Sequence, residues 1–181
     1  IAGLQAFIPA DAVEGARHHP LVKEAGTFRE LTVTFNGSPV AMGVVEGGAR
    51  GKMEFLSQIP DAADLFHSPG HLVVSESFAN RHGTKAGETL TIISPKGPLP
   101  LLVAGIIKDF TRDSGLLMMD RSIFELSWSD PRVHSLALVL HSPESAGQLA
   151  AEFRKKFGEQ GQFAIYTNAD LRRRVMQIFD Q

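Results

Sequence analysis

The sequence predicts a mixed α/β fold of the α+β kind: a first hairpin, a compact β-rich block and a closing β-α-β unit. Three observations carry that expectation. Residues 31–35 alternate apolar and polar side chains, the period-two pattern of a half-buried strand. Residues 70–131 hold a compact succession of such short runs between turn residues. Beyond Asp130-Pro131 the pattern changes to strand, helix, strand.

Taken in order, residues 11–19 predict a short helix that Pro20 ends. Leu31-Thr32-Val33-Thr34-Phe35 is the first strand, and Asn36-Gly37 is the strongest short hairpin signal. Residues 40–45 form the return strand. Gly47, Gly48, Gly51, Pro60 and Pro69 make residues 46–70 an irregular crossing, with one helical turn near 62–66.

Leu72-Val73-Val74 predicts a buried strand. Ser75 then caps a helix over 76–82, which Gly83 closes. Strands follow at 89–93 and 101–107, joined through the turn residues Ser94-Pro95-Lys96-Gly97. The loop 108–115 leads to Leu116-Leu117-Met118-Met119, and Asp120 caps a helix to about Leu126.

Residues 133–141 predict a strand that is apolar on both faces from Leu136 to Leu140. Ser142 and Pro143 suit a helix start. Ala146, Leu149, Ala150, Phe153 and Phe157 fall at helical spacing, and Gly158 ends the run. Phe163-Ala164-Ile165-Tyr166-Thr167 is the second strand of the unit. Asn168 is a good N-cap for a last helix, with Asp170 in its first turn. Arg172-Arg173-Arg174 and then Val175, Met176, Ile178 and Phe179 follow, with no residue that closes a helix. A basic cluster followed by an increasingly apolar helix is the way a water-facing domain feeds into a membrane span. The chain also begins at Ile1, so the expectation is a domain excised from a longer membrane protein.

Bulk properties narrow the function classes. The chain has 181 residues, enough for one ordinary domain or two small ones. Its apolar content of 43% and charged content of 21% are those of a folded globular protein. A net charge of −2 argues against a nucleic-acid binder, which carries a basic face. The absence of cysteine excludes disulfides, thiolate catalysis and Cys-ligated zinc.

Individual sites mostly resolve to structural roles. Gly47-Gly48-Ala49-Arg50-Gly51-Lys52 lacks the first glycine and the Ser or Thr of a phosphate loop, since Glu46 and Met53 stand there. His18 and His19 diverge on a helix, His134 and His141 lie at opposite ends of one strand, and Pro69-Gly70 prevents a helix from aligning His67 with His71. No metal site is therefore expected. Asp109 and Asp113 decorate a glycine-bearing loop, where paired carboxylates would serve an enzyme, but a solvated loop is the simpler expectation. Trp128 suits either a partner contact or the seam between the two parts. Gly47, Gly48 and Pro131 mark the crossings where a hinge would sit.

Leu72-Val73-Val74-Ser75-Glu76-Ser77-Phe78-Ala79, followed by Gly87-Glu88-Thr89-Leu90-Thr91-Ile92, resembles a segment of MacB/FtsX-type ABC-transporter permeases. Val103-Ala104-Gly105-Ile106 is similar to a further strand of theirs. Gly115-Leu116-Leu117-Met118-Met119-Asp120-Arg121, Trp128-Ser129-Asp130 and the last residues, ending in Ile178-Phe179-Asp180, resemble the large multi-span FtsX-like permeases most. Gly87-Glu88 departs from the commoner Gly-Asp.

The resemblance implies a periplasmic core-like domain of a bacterial inner-membrane protein. Residues 1–48 and 132–181 would form the porter-like part, 49–69 a connection and 70–131 the insertion. It implies no catalytic residue, cofactor or metal in this domain. ATP hydrolysis would belong to a cytoplasmic ABC ATPase subunit. A second permease domain or subunit, or a periplasmic accessory protein or lipoprotein, would be further partners. The domain would relay motion, or capture an exported lipid, peptide or lipoprotein. An enzyme built on Asp109 and Asp113 is the remaining alternative.

Overall fold

The computed structural model describes residues 6–47, 53–108, 114–159, 164–170 and 173. By internal contacts the chain divides into two units, one of Ile1–Ala25 with His134–Gln181 and one of Gly26–Val133. The described elements are α1 (Ala10–Arg17), β1 (Val22–Phe35), β2 (Ser38–Glu46), β3 (Phe55–Gln58), α2 (Ala62–Leu65), β4 (His71–Ser75), α3 (Glu76–His82), β5 (Thr89–Ser94), β6 (Gly97–Ile107), β7 (Leu116–Asp120), α4 (Arg121–Trp128), β8 (Ser135–Leu140) and α5 (Ala146–Phe157).

In the Gly26–Val133 unit six strands close on themselves in the order β1-β2-β7-β4-β6-β5 and back to β1. Most neighbours are antiparallel, but β2 with β7 and β4 with β6 run parallel. The ring closes through a short contact, Thr34 with Ile93 and Phe35 with Ile92. A barrel this small has its interior filled by side chains. Val33 and Phe35 of β1, Met42 and Val44 of β2, Leu72 and Val74 of β4, and Leu90 and Ile92 of β5 point inward. Leu101 and Val103 of β6 and Leu117 and Met119 of β7 complete the filling. Phe78 of α3 and Ile123 and Phe124 of α4 pack onto the same cluster.

The alternate residues face outward, and one side of the barrel covers them. Val45, Val73, Met118 and Ala104 lie under α2 and β3, with Phe66 fully buried among them. Gly105 is required there, because a Cβ would stand 2.5 Å from the Phe55 ring. Ser75, itself buried, ends β4 and caps α3. Its Oγ accepts from Phe78 N at 3.2 Å and from Leu116 N at 2.9 Å, so one hydroxyl satisfies a helix start and a strand start.

In the other unit α1 and α5 pack through Ala12, Ala16, Leu149, Phe153 and Phe157, with Ile8, Val22, Leu136, Leu138, Leu140 and Ile165 against them. His19 joins the two helices: its Nδ1 accepts from Leu21 N at 3.1 Å and its Nε2 lies 3.2 Å from Glu152. Strand β8 pairs with β1. Its leucines are half-buried, whereas Ser135, Ala137 and Val139 are exposed, so of the two apolar faces expected from Leu136 to Leu140 the leucine face is the covered one.

Several boundaries differ from expectation for physical reasons. Strand β1 begins at Val22 rather than Leu31. Its inward row continues from Val33 back through Leu31, Arg29 and Thr27, so polar residues occupy positions that hydrophobic alternation would have marked. The hairpin 31–45 belongs to the Gly26–Val133 unit, not to a first part ending at residue 48, because β2 pairs with β7 over five positions. Residues 55–58 form a strand in a stretch expected to be irregular. Residues 164–167 carry no strand, and Phe163 lies outside the described residues.

The last helix starts one residue early. Thr167 Oγ1 accepts from Asp170 N at 3.1 Å, and Asp170 Oδ2 accepts from Thr167 N at 2.9 Å. That is a capping box with Thr167, not Asn168, as the cap. Among the described residues no helix is long and apolar enough to cross a membrane.

Candidate functional site

Polar side chains of the barrel unit gather at two neighbouring places. The first is a cleft of about 360 Å³ lined by Glu46, His67, Asp120, Arg121, Ser122 and Glu125. Parallel pairing sets its floor, since Val45 of β2 stands opposite Asp120 of β7. Asp120 is the last residue of its strand and the N-cap of α4: its Oδ1 accepts from Ser122 N at 2.9 Å and from Ser122 Oγ at 2.6 Å. Its Oδ2 lies 2.7 Å from His67 Nδ1.

Burial pushes the Asp120 carboxyl up, but the Ser122 and His67 hydrogen bonds and the His67 charge outweigh it and hold the group below its ordinary value. An ionised carboxylate only accepts, so His67 Nδ1 is the donor in this contact. Phe66, next to His67, plugs the outer cluster, and this contact therefore ties the α2 layer to the start of α4.

A carboxylate and an imidazole in contact beside a serine suggest a nucleophile relay, but the geometry is different. The Ser122 hydroxyl donates to Asp120, not to His67, and a carboxylate held below its ordinary value is a weak base for activating it. Glu125 is engaged by Arg121 Nε at 3.0 Å, and Glu46 accepts from Thr27 Oγ1 at 2.8 Å. The first pairing lies within α4 and the second joins β1 to β2, and they leave no activated nucleophile among the groups named.

The second place is an arginine–aspartate knot. Arg29 reaches from the inward row of β1 to Asp130 at 2.7 Å and to the Arg132 carbonyl at 3.2 Å. Arg132 closes on Asp130 with Nε at 2.9 Å and Nη2 at 2.7 Å. Arg121 Nη2 donates to the Asp130 carbonyl at 3.3 Å. Hydrogen bonding from Arg132 holds the Asp130 carboxyl far below the usual range, against burial and with help from Arg29. The Arg29 guanidinium also lies 5.7 Å from the centre of the Phe124 ring, on which Trp128 stacks at 4.9 Å.

The expected residues fall as follows. Trp128 is half-buried and packed on the barrel's own core through Phe124. Pro131 is exposed, between the two knotted residues Asp130 and Arg132, two residues before the chain leaves the Gly26–Val133 unit. Gly47 follows β2 with φ +63°, a left-handed conformation that glycine allows. Gly48, Asp109 and Asp113 lie outside the described residues. Sequence reasoning took Asp120 for a helix cap, which it is, and missed its second bond. His67 stands 53 residues away, and no local pattern links the two.

Comparison with known proteins gives a consistent picture. No protein-family model matches the chain. An uncharacterized ABC transporter permease protein of Mycobacterium tuberculosis is 25% identical over 181 residues, which is 96% of this chain but 21% of that protein. The chain thus spans about a fifth of the length of the curated relative it matches. The periplasmic region of MacB from Actinobacillus actinomycetemcomitans superimposes with a TM-score of 0.59 at 12% identity, covering 100% of this chain and 85% of that one. The extracellular domain of the noncanonic ABC-type transporter YknZ from Gram-positive bacteria also gives 0.59, at 11% identity, over 84% of this chain and 85% of that one. In sequence the chain is similar to an ABC transporter permease, and in fold it matches the periplasmic region of MacB and the extracellular domain of an ABC-type transporter.

Proposed function

We propose that this chain, a permease relative with the fold of a MacB- and YknZ-type extracytoplasmic domain, is the mechanical and contact module of an ABC-type permease. The observation that carries this reading is coverage: one permease matches along 96% of the chain, and the MacB periplasmic fold spans all of it. The relatives are permease parts rather than enzymes. ABC permeases work with an ATPase, so hydrolysis would take place on a cytoplasmic subunit while this domain sits on the other side of a bacterial inner membrane.

Local construction supports a relay. The barrel is closed, its core is filled, and its exit at residues 130–132 is knotted to β1 by Arg29. Such a unit moves as a body rather than deforming. Beyond Thr167 a capping box opens a helix toward the basic and apolar C-terminal residues. Tilting that helix would carry its unit with it. Pro131 and Gly47 are our hinge candidates, and Trp128 with the unplaced Asp109, Asp113 and Gly48 remain candidate contacts for an accessory protein, a lipoprotein or a second permease domain. Capture of a lipid is the weaker reading, because charged side chains wall the cleft at Asp120.

In the full-length parent, a flexible Gly-Ser insertion after Ile178 should abolish transport while leaving expression and ATPase assembly intact. Transport at the unmodified rate would defeat the relay.

A further inference from the structure

We propose that a collar of cations where α5 meets the last helix, Arg154, Lys155, Lys156 and Arg173, is a contact surface for anionic phospholipid headgroups. The inference rests on the permease reading, which puts a bilayer next to this unit, and adds the chemistry of what the unit touches.

The collar is assembled by tertiary contacts. Arg154 Nη2 donates to the Ile165 carbonyl at 2.7 Å and lies 3.6 Å from Asp170. Asp170 is held below its ordinary range by the Thr167 backbone N–H first, then by the Thr167 hydroxyl and the charges of Arg154 and Arg173. The charges of Arg154 and Arg173, 19 positions apart in the sequence (173 − 154), therefore both act on Asp170, and Arg154 lies 3.6 Å from it. Lys155 and Lys156 occupy the same last turn of α5 and are exposed.

Nearby carboxylates offset only part of this charge. Asp170 lies 3.6 Å from Arg154, Glu159 is exposed beside the collar, and Glu152 is turned to His19 at 3.2 Å, so the cations remain in excess. The chain as a whole carries −2, so an anionic surface would repel most of it and attract this region. Tyr166, at 44% exposure, lies within the same stretch. An exposed tyrosine beside lysine and arginine is the side-chain set that settles at a membrane–water boundary, and it favours lipid over an acidic polypeptide.

The test is co-sedimentation of the 181-residue chain with phosphatidylcholine vesicles, with and without about one third phosphatidylglycerol. We expect binding to the anionic vesicles alone, lost at roughly 0.5 M salt, where the Debye length shrinks to a few ångströms. Lys155→Glu with Lys156→Glu should weaken it at least about tenfold. Lys23→Gln with Lys85→Gln, two exposed lysines elsewhere, should leave it unchanged. The apolar C-terminal residues are common to all variants, and matched thermal melts establish folding. Equal binding to both vesicle types, equal weakening by the control pair, or competition by soluble polyglutamate at matched charge would overturn the proposal. Fractionation of the full-length parent separates the two ideas. A parent found in membranes whose domain ignores anionic vesicles sinks this inference alone, whereas a parent found in the soluble fraction sinks the permease reading with it.

Discussion

Arg29 holds a position on β1 where its neighbours in the same row, Val33 and Phe35, are apolar, and its side chain is 8% exposed. A buried guanidinium is tolerated when a carboxylate meets it, and Asp130 does so at 2.7 Å. Removing one partner of such a pair leaves an uncompensated charge. Asp130→Asn should therefore cost about 3–5 kcal/mol in urea unfolding. Arg132→Ala, at a side chain 57% exposed, should cost far less, because solvent screens the pair. The pH dependence has a definite sign. The Asp130 carboxyl is depressed in the folded state, so its contribution is present above the unfolded value of about 3.9 and is lost as pH falls through the folded value. Asp130→Asn should flatten the acid limb of stability against pH, and an unchanged limb would remove Asp130 from the account. Arg29 and Asp130 were legible as charged residues but not as a pair, because their 101 positions of separation (130 − 29) leave no periodic trace.

At the scale of elements, turns and caps were the most legible features. Asn36 and Gly37 have φ +49° and +74°, the two positive values that the hairpin signal requires. Ser75 and Gly83 cap α3 as their residue types predict. The ends of β1 and β3 were illegible, because Thr27, Arg29, Ser57 and Gln58 satisfy polar or exposed positions that no hydrophobic alternation marks. Gly115 is the position where element packing leaves the least freedom. Its φ is +85°, and a Cβ there would stand 2.5 Å from Phe78 N and 2.6 Å from Phe78 Cα. Backbone on a capped helix cannot yield as a side-chain tip does. Gly115→Ala should destabilise the chain by roughly 2 kcal/mol or more, from strain plus displacement of α3. Chemical denaturation would measure it, and a loss under about 0.5 kcal/mol would show that α3 gives way freely.

At the scale of the molecule, the Gly26–Val133 unit contains both clusters of its core, the barrel interior and the layer under α2 and β3. Its 108 residues (133 − 26 + 1) are within the size range of independent domains. Expressed alone, residues 26–133 should melt in one cooperative transition by circular dichroism, whereas a broad, featureless melt would show that the other unit is needed to hold the barrel closed. The division at 25/26 and 133/134 departs from the one expected at 48 and 132, chiefly because the first hairpin serves the barrel.

By itself the sequence determined the mixed α/β class, the order of most strands and helices, the caps, and a likeness to extracytoplasmic permease domains. Those features are written locally, in period, turn chemistry and short motifs, over spans a few residues long. Tertiary structure alone decided that six strands close into a ring, that His67 meets Asp120, that Arg29 meets Asp130, and that Arg154 meets Asp170. Each of these joins residues distant along the chain, and which distant groups meet is set by how whole surfaces bury together, which no local pattern encodes.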